Sequence, residues 1–483
     1  MFIGSHLEKF SAELKEKPAI VTKEKVITYG EFTQDVMILQ KKLNSIAKAG
    51  EKVALLMDDD TEFLSLFFAI IRNGCIAVPL DPKWTKNERN HALTISEPDF
   101  IITSNNFEHN EVFTVIHMDQ LAREEGSEES LEHILSSESL FYIGFTSGSS
   151  GKPKGFMRNH RSWLESFDVY ENIFDLHSTQ SIISPGPLCH SLSLFTSVHT
   201  IQTGATLYVS PQFDPIDLYN WMTREKVDVF VGVPTMVEAI TRANGFNTNN
   251  YTLKKIIVSG AGWSHNSISR AKERFPMARL YDYYGASELS FVSYKELTPE
   301  VSCSSKIFPN VKLSVLNERR MQCREGEVGE VFVNSPMLFT GYIKNDEETK
   351  KVLTKFGATV GDIGYLEGNG KLTLVGRSSN MLKSGGLKIF PEEIESTLKG
   401  LDEINEVVVI GVNDDYWGEK VVALIEWKHI DRRMTEEELK SYCQKYLSSY
   451  KCPKQFISRG RFSYTKSGKI DRQAIQREME EEE

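Results

Sequence analysis

The chain predicts a large N-terminal α/β domain followed by a small α+β domain, on three observations. Short apolar runs, Val53 to Met57, Phe100 to Thr103, Ala205 to Val209, Val227 to Val233 and Lys255 to Ser259, have the length and apolarity of buried strands. They alternate with amphipathic patterns such as Glu62 to Ile71 and Pro215 to Glu225, which is the rhythm of an α/β sheet. At 483 residues with 40% hydrophobic content, the chain exceeds what one core organises and can supply two.

Leu140-Phe141-Tyr142-Ile143-Gly144-Phe145 reads as a further buried strand, and it delivers the loop Thr146-Ser147-Gly148-Ser149-Ser150-Gly151-Lys152-Pro153-Lys154-Gly155. Small hydroxyl residues and glycines expose backbone N–H groups that can wrap a polyphosphate, and a loop leaving a sheet end is where α/β folds bind ligands. The loop is not a Walker loop: Thr146 stands where the first glycine belongs, and Pro153 follows Lys152 where a metal-binding hydroxyl is required. A separate magnesium ligand is therefore expected. A plain Ser/Gly linker would be polar on both sides, whereas this loop follows an apolar strand and carries two lysines around a proline.

Phe63 to Leu80 is broken by Arg72, Asn73 and Gly74 and predicts a buried helix running into a strand, not a membrane span. Ser178 to Gln212 holds no acid, lysine or arginine, yet its Ser, Thr, Gly and Pro content suits a core with a cavity. After the polar stretch Gly376-Arg377-Ser378-Ser379-Asn380 a smaller unit is expected, with strands near Glu406 to Val412 and Lys420 to Glu426. In it, Thr435 to Tyr446 places Glu436, Glu437 and Glu438 in a first helical turn and Leu439, Tyr442 and Cys443 on one face. The tail Glu478 to Glu483 is expected to fray.

The formal charge of −11 argues against an extended nucleic-acid surface while leaving room for a small phosphorylated ligand. The six cysteines, Cys75, Cys189, Cys303, Cys323, Cys443 and Cys452, form no C-x-x-C pair, so neither a zinc site nor a disulfide framework is indicated, and a reducing cytoplasm is expected. Met1 to Lys15 lacks the apolar stretch of a signal peptide.

Asp282-Tyr283-Tyr284-Gly285-Ala286-Ser287-Glu288 offers what a triphosphate still needs. Tyr284 can stack on a base, Gly285 lets backbone approach, Ser287 can contact a phosphate, and Glu288 is a hard oxygen ligand for magnesium. An aromatic turn packed on the core is the competing reading.

With these stretches in order, the chain resembles the adenylate-forming superfamily of acyl-CoA synthetases, peptide-synthetase adenylation domains and firefly luciferase. Thr146 to Gly155 has the family form T-S-G-S-S-G-x-P-K-G, and Tyr284 to Glu288 resembles Y-G-x-[ST]-E. Thr28-Tyr29-Gly30-Glu31-Phe32 resembles T-Y-x-E-L, Tyr450-Lys451-Cys452-Pro453 resembles Y-K-x-P, and Gly468-Lys469-Ile470 the terminal G-K-I.

The resemblance implies a large domain over residues 1–377 with ATP and acyl sites, a hinge at 378–380 and a mobile domain over 381–483. It implies that ATP with Mg2+ activates a carboxylic acid to an acyl-AMP, releasing pyrophosphate, and that a thiol then takes the acyl group. Lys469 would neutralise charge between carboxylate and α-phosphate in the first step. The loop residues Thr146 to Gly151 and Lys154 would grip phosphate, with Thr146 and Glu288 at the metal. Asp362 would accept the ribose hydroxyls beside Arg377. Gly260, Ala261 and Gly262 would form the adenine wall, with Asp282 and Tyr283 alongside, and His190 would lie near the acyl carboxylate. His160 is left as structural.

Lys383, Gly385 and Gly386, within Leu382 to Ile389, resemble the loop that lines the pantetheine tunnel in the second step. Two departures stand out: Val360 replaces a threonine before Gly361-Asp362, and Asn380 replaces an acid or lysine at the hinge. No carrier-like domain or phosphopantetheine serine is expected, so free coenzyme A is the expected acceptor and a fatty or other apolar acid the expected substrate. The alternatives are loading of an acyl carrier protein, an aryl acid as substrate, and a nucleotide-binding regulator without catalysis.

Overall fold

The computed structural model describes residues 1–104, 113–126, 135–146, 153–210, 212–243, 249–260, 263, 265–298, 304–414, 416–464 and 470–482, whose strands form four sheets. A nine-stranded sheet runs its parallel strands Thr206–Tyr208, Ser181–Ile183, Val229–Gly232, Lys255–Ser259 and Arg279–Ala286 side by side, then reverses at Ser290–Leu297. A seven-stranded sheet is parallel from Leu140–Thr146 through Ile76–Pro79, Lys52–Leu56 and Phe100–Thr103 to Thr114–His117, with Lys154–Asn159 antiparallel on its other side. Six strands between Lys312 and Arg377 form a third sheet, and five between Leu382 and Arg459 a fourth.

The first two sheets share one aromatic core. Phe67 and Phe141 come from the seven-stranded side and Phe291 from the nine-stranded side, while Trp163 and Phe195 on intervening helices bridge them, with Trp163–Phe195 and Phe195–Phe291 ring centroids 5.3 and 5.2 Å apart. The helix Asp60–Arg72 is buried along nearly its whole length, and its last residue shows why a charge is tolerated there. Arg72, 2% exposed, donates Nη2 to Glu8 Oε1 at 2.9 Å and Nε to Gln40 Oε1 at 3.1 Å, so its guanidinium is paired inside the fold.

The early motif has a local cause. Thr28 caps the helix Tyr29–Asn44 in a reciprocal box with Glu31, and the buried Tyr29 hydroxyl donates to Ala205 O at 2.7 Å, tying the helix to the nine-stranded sheet. Thr435 and Glu438 repeat the box at the helix Glu436–Tyr446. The tail corrects the sequence expectation: Arg472–Glu482 is helical, because Ile475 and Met479, one turn apart, bury against Val408, Ile410 and Leu424.

The chain passes from the third sheet to the fourth through a 3-10 turn, Ser378–Asn380. Asn380 is not left-handed; its Nδ2 instead donates to Glu392 Oε1 at 2.5 Å. Among the described residues, no helix is long and apolar enough to cross a membrane.

Candidate active site

The end of the strand Arg279–Ala286 separates two environments. Tyr283 faces an apolar cavity, while Tyr284, pointing to the other side, donates its hydroxyl to Asp362 Oδ2. Asp362 Oδ1 accepts from Arg377 Nε at 2.8 Å, across a register in which the two residues are strand partners. Asp362 is 5% exposed, and its charge holds the Arg377 guanidinium above its ordinary range. Gly361 precedes it at φ +79°, where a Cβ would sit 2.6 Å from Ser378 Oγ, so this turn into the strand requires glycine. Val360 contributes no hydroxyl, but Thr359 beside it accepts from the Gly361 N–H at 3.1 Å.

Glu288 lies two residues beyond that strand and is 8% exposed. Its Oε1 accepts from the Tyr342 hydroxyl at 2.6 Å, leaving Oε2 without a hydrogen bond among the described residues. Burial, reinforced by Glu288, pushes the Tyr342 phenol up, so it stays a donor. A nearly buried hard oxygen fits the single protein carboxylate of a Mg2+ ion otherwise held by phosphate and water. Lys154, near the end of the loop Thr146 to Gly155, forms an ion pair with Glu348 Oε2 at 2.6 Å, its Nζ 5.7 Å from the Tyr342 ring centre. Thr146 pairs with Lys154 across the hairpin.

The cavity encloses about 260 Å³. Phe156, Trp163, Leu192, Phe195, Val233 and Phe291 give it apolar walls, and Arg158, Ser191, Ser259, Ser287 and Ser290 supply its polar lining. Gly285 has no room for a side chain, since a Cβ would meet Ser290 O at 2.1 Å.

His190 caps the start of the helix Ser191–Gln202, with Nε2 3.8 Å from Asp81 Oδ2. Burial lowers its pKa against the opposing pull of Asp81, which favours the neutral imidazole. Cys189, His190 and Asp81 cluster with their donor atoms within 4.8 Å, and burial keeps the Cys189 thiol protonated. His160 is structural in its contacts: Nδ1 accepts from the Ile3 N–H at 3.2 Å and its ring stacks on Phe141.

Other predicted residues fall elsewhere. Asp282 faces Lys295, 3.7 Å away, and desolvation raises its carboxyl to about 6 against that lysine. Lys383, Gly385 and Gly386 lie on the hairpin Leu382–Ser384 and Leu387–Ile389, where the Lys383 N–H donates to Glu419 and Lys388 pairs with Glu318, both outside the cavity lining. Ser147, Gly148, Ser149, Ser150, Gly151, Ala261, Gly262 and Lys469 lie outside the described residues. The sequence reading passed over Tyr342, Glu348 and Arg158. Arg158 was signalled by alternation, since it shares with Phe156 the inward face of the strand Lys154–Asn159.

Comparison with known proteins decides the family. A model described as AMP-binding enzyme matches residues 7–343, and its C-terminal domain model matches residues 393–469. The chain belongs to the AMP-binding enzyme family. It is therefore an adenylate-forming protein of the acyl-CoA ligase branch. It is 36% identical over 473 residues to an uncharacterized acyl-CoA ligase, YhfT, of Bacillus subtilis (strain 168), covering 96% of this chain and 95% of that one. It is 30% identical to a putative long chain fatty acid-CoA ligase, VraA, of Staphylococcus epidermidis, covering 98% and 97%. In fold it matches the O-succinylbenzoate coenzyme A synthetase MenE from Bacillus subtilis in complex with AMP, with a TM-score of 0.86, 22% identity, and 99% and 98% coverage.

Proposed function

We propose that the protein joins a compact apolar carboxylic acid to coenzyme A, using ATP and passing through an acyl-AMP with release of pyrophosphate. The observation that carries this reading is the placement of Tyr284–Asp362–Arg377 on one side of a strand whose neighbouring residues Tyr283 and Gly285 line an apolar cavity. Nucleotide and acid would then meet at one strand end, which is the proximity an adenylation needs.

Each side chain then has a task. Asp362 and Arg377 would hold the ribose, and Lys154 would exchange Glu348 for the β,γ-phosphates. Glu288 and the Thr146 hydroxyl would hold Mg2+, which neutralises triphosphate charge when bound. Neutral His190 would sit near the acyl carboxylate, and Lys469 would bring a positive charge to the carboxylate and α-phosphate. Lys383, Gly385 and Gly386 would line the thiol's approach after the small domain swings about 378–380, with 1–377 and 381–483 as the two moving bodies.

The cavity favours a compact aryl or short-chain acid over a long-chain one. Its volume of about 260 Å³ is smaller than the roughly 300–1,000 Å³ of most ligand sites, and aromatic rings form most of its apolar walls. A pyrophosphate-exchange panel from acetate through long-chain acids to benzoates tests this. The expected maximum lies among compact acids; a maximum at long chains would contradict the size argument.

A further inference from the structure

Arg158 is the charged group that the reaction as described leaves without a task. It lies on the strand Lys154–Asn159, is 3% exposed, and joins Phe156 on the cavity wall. Nη1 donates to Met337 O at 2.7 Å and Nη2 to Ser290 Oγ. Both partners are neutral. Nε is shut off from solvent and has no hydrogen-bond partner among the described residues. A guanidinium has five N–H donors, so three remain after these two bonds.

Such an arrangement is costly unless something answers the charge. A buried cation is normally met by a carboxylate, as Arg72 is by Glu8. Glu288 acts on Arg158 only through space and is itself bonded to Tyr342. Burial pushes the guanidinium down to about 10 with Glu288 opposing, so it remains a cation at neutral pH. The chain also strains itself to place this group: Ser290 holds φ +58°, a left-handed conformation unusual for serine, and its hydroxyl both accepts from Arg158 and donates to Met337 O at 2.9 Å. Fixed this way on a wall that is otherwise mostly aromatic and aliphatic, the guanidinium is a preformed recognition element.

We infer that Arg158 selects the acid: the substrate carries, besides the carboxyl that reacts, a second acceptor oxygen, a carboxylate or a carbonyl, that binds this guanidinium. The inference rests on the reading of the cavity as the acid site. It narrows the class from apolar acids to acids with an apolar body and a second oxygen function. Arg158 comes from the seven-stranded sheet and reaches Ser290, the strand partner of Ala286, so the second oxygen would bind beside the strand end at Gly285, Ala286 and Ser287.

The test uses matched pairs, hexanoate with adipate and benzoate with 4-carboxybenzoate, titrated calorimetrically into the full chain. The wild type should bind the second member of each pair about 10- to 100-fold more tightly, the range of one hydrogen bond to a charged group. Arg158→Met should erase or reverse that ratio, and Arg158→Lys should restore part of it. Melting curves of both variants establish that they are folded, and Arg158→Lys carries the comparison should Arg158→Met not fold. Equal binding within the wild-type pairs, or a ratio unmoved by substitution, overturns the assignment. Loss of affinity for all four acids alike also overturns it, since Arg158 would then hold the reacting carboxyl. Pyrophosphate exchange is measured separately: its absence with acids that bind would sink the adenylation reading while the binding ratios still judge Arg158.

Discussion

Arg377 and Arg158 are both arginines beside the same strand end, and they are provided for in opposite ways. The Arg377 side chain is 52% exposed, yet Asp362 answers its charge directly and Tyr284 braces that carboxylate. Arg158 is almost fully buried, and among the described residues its hydrogen-bond partners are a carbonyl and a hydroxyl. Stability alone would favour the reverse, because desolvation is costliest for the buried cation. On the proposed assignment, the difference teaches that pairing within the chain would leave the nucleotide side preassembled, while the charge with no acidic partner would leave the acid side to be completed by a ligand.

The largest effect should come from a third cation. Lys469→Ala should lower acid-dependent pyrophosphate exchange by about two to three orders of magnitude, the cost of removing one transition-state donor, while preformed acyl-AMP is still converted to thioester. Equal loss of both steps would mean that Lys469 serves the whole fold or both poses.

Asp362→Asn attacks the answered charge. The apparent KM for ATP should rise roughly tenfold or more, while the preference among acids stays as in the wild type. A changed acid preference would merge the two arginines into one site and break the comparison.

A smaller effect concerns Asp282, whose carboxyl burial raises to about 6. The native state then binds more protons than the unfolded chain between about pH 4 and pH 6. Stability attributable to this group therefore falls as pH rises through that window, by at most about 3 kcal/mol. Asp282→Asn should flatten this part of the profile in denaturant titrations at successive pH values. An unchanged slope would mean that Lys295 already offsets the burial.

The smallest is Thr435→Ala, which removes a helix cap in the small domain and should cost about 1 kcal/mol in denaturation with acid selectivity untouched. A shift in selectivity would show that the small domain shapes the acid cavity.

The strands Phe100–Thr103 and Lys255–Ser259 and the helix Pro215–Glu225 were legible because burial on both sides or a clear amphipathic period leaves little local choice. The capping boxes Thr28–Glu31 and Thr435–Glu438 went unread, although each is a threonine three residues before a glutamate. The tail was misread because its acidic surface masks two apolar residues one turn apart, Ile475 and Met479, that find the small domain's sheet. Glu288, Asp362 and Arg377 stood out through motifs. Tyr342, Glu348 and Arg158 did not, because each acquires its meaning from a partner far along the chain: Glu288, Lys154 and Ser290. A buried charge is visible in sequence only as a charge; what surrounds it is a property of packing.

The central claim is most directly tested by incubating the protein with ATP, Mg2+, coenzyme A and compact acids, and following acyl-CoA, AMP and pyrophosphate by mass spectrometry. The account predicts acyl-CoA and AMP in equal amounts, with acids bearing a second carboxylate or carbonyl preferred. Acid-dependent pyrophosphate exchange without any acyl-CoA would contradict it, and would point to a carrier-bound thiol as the acceptor.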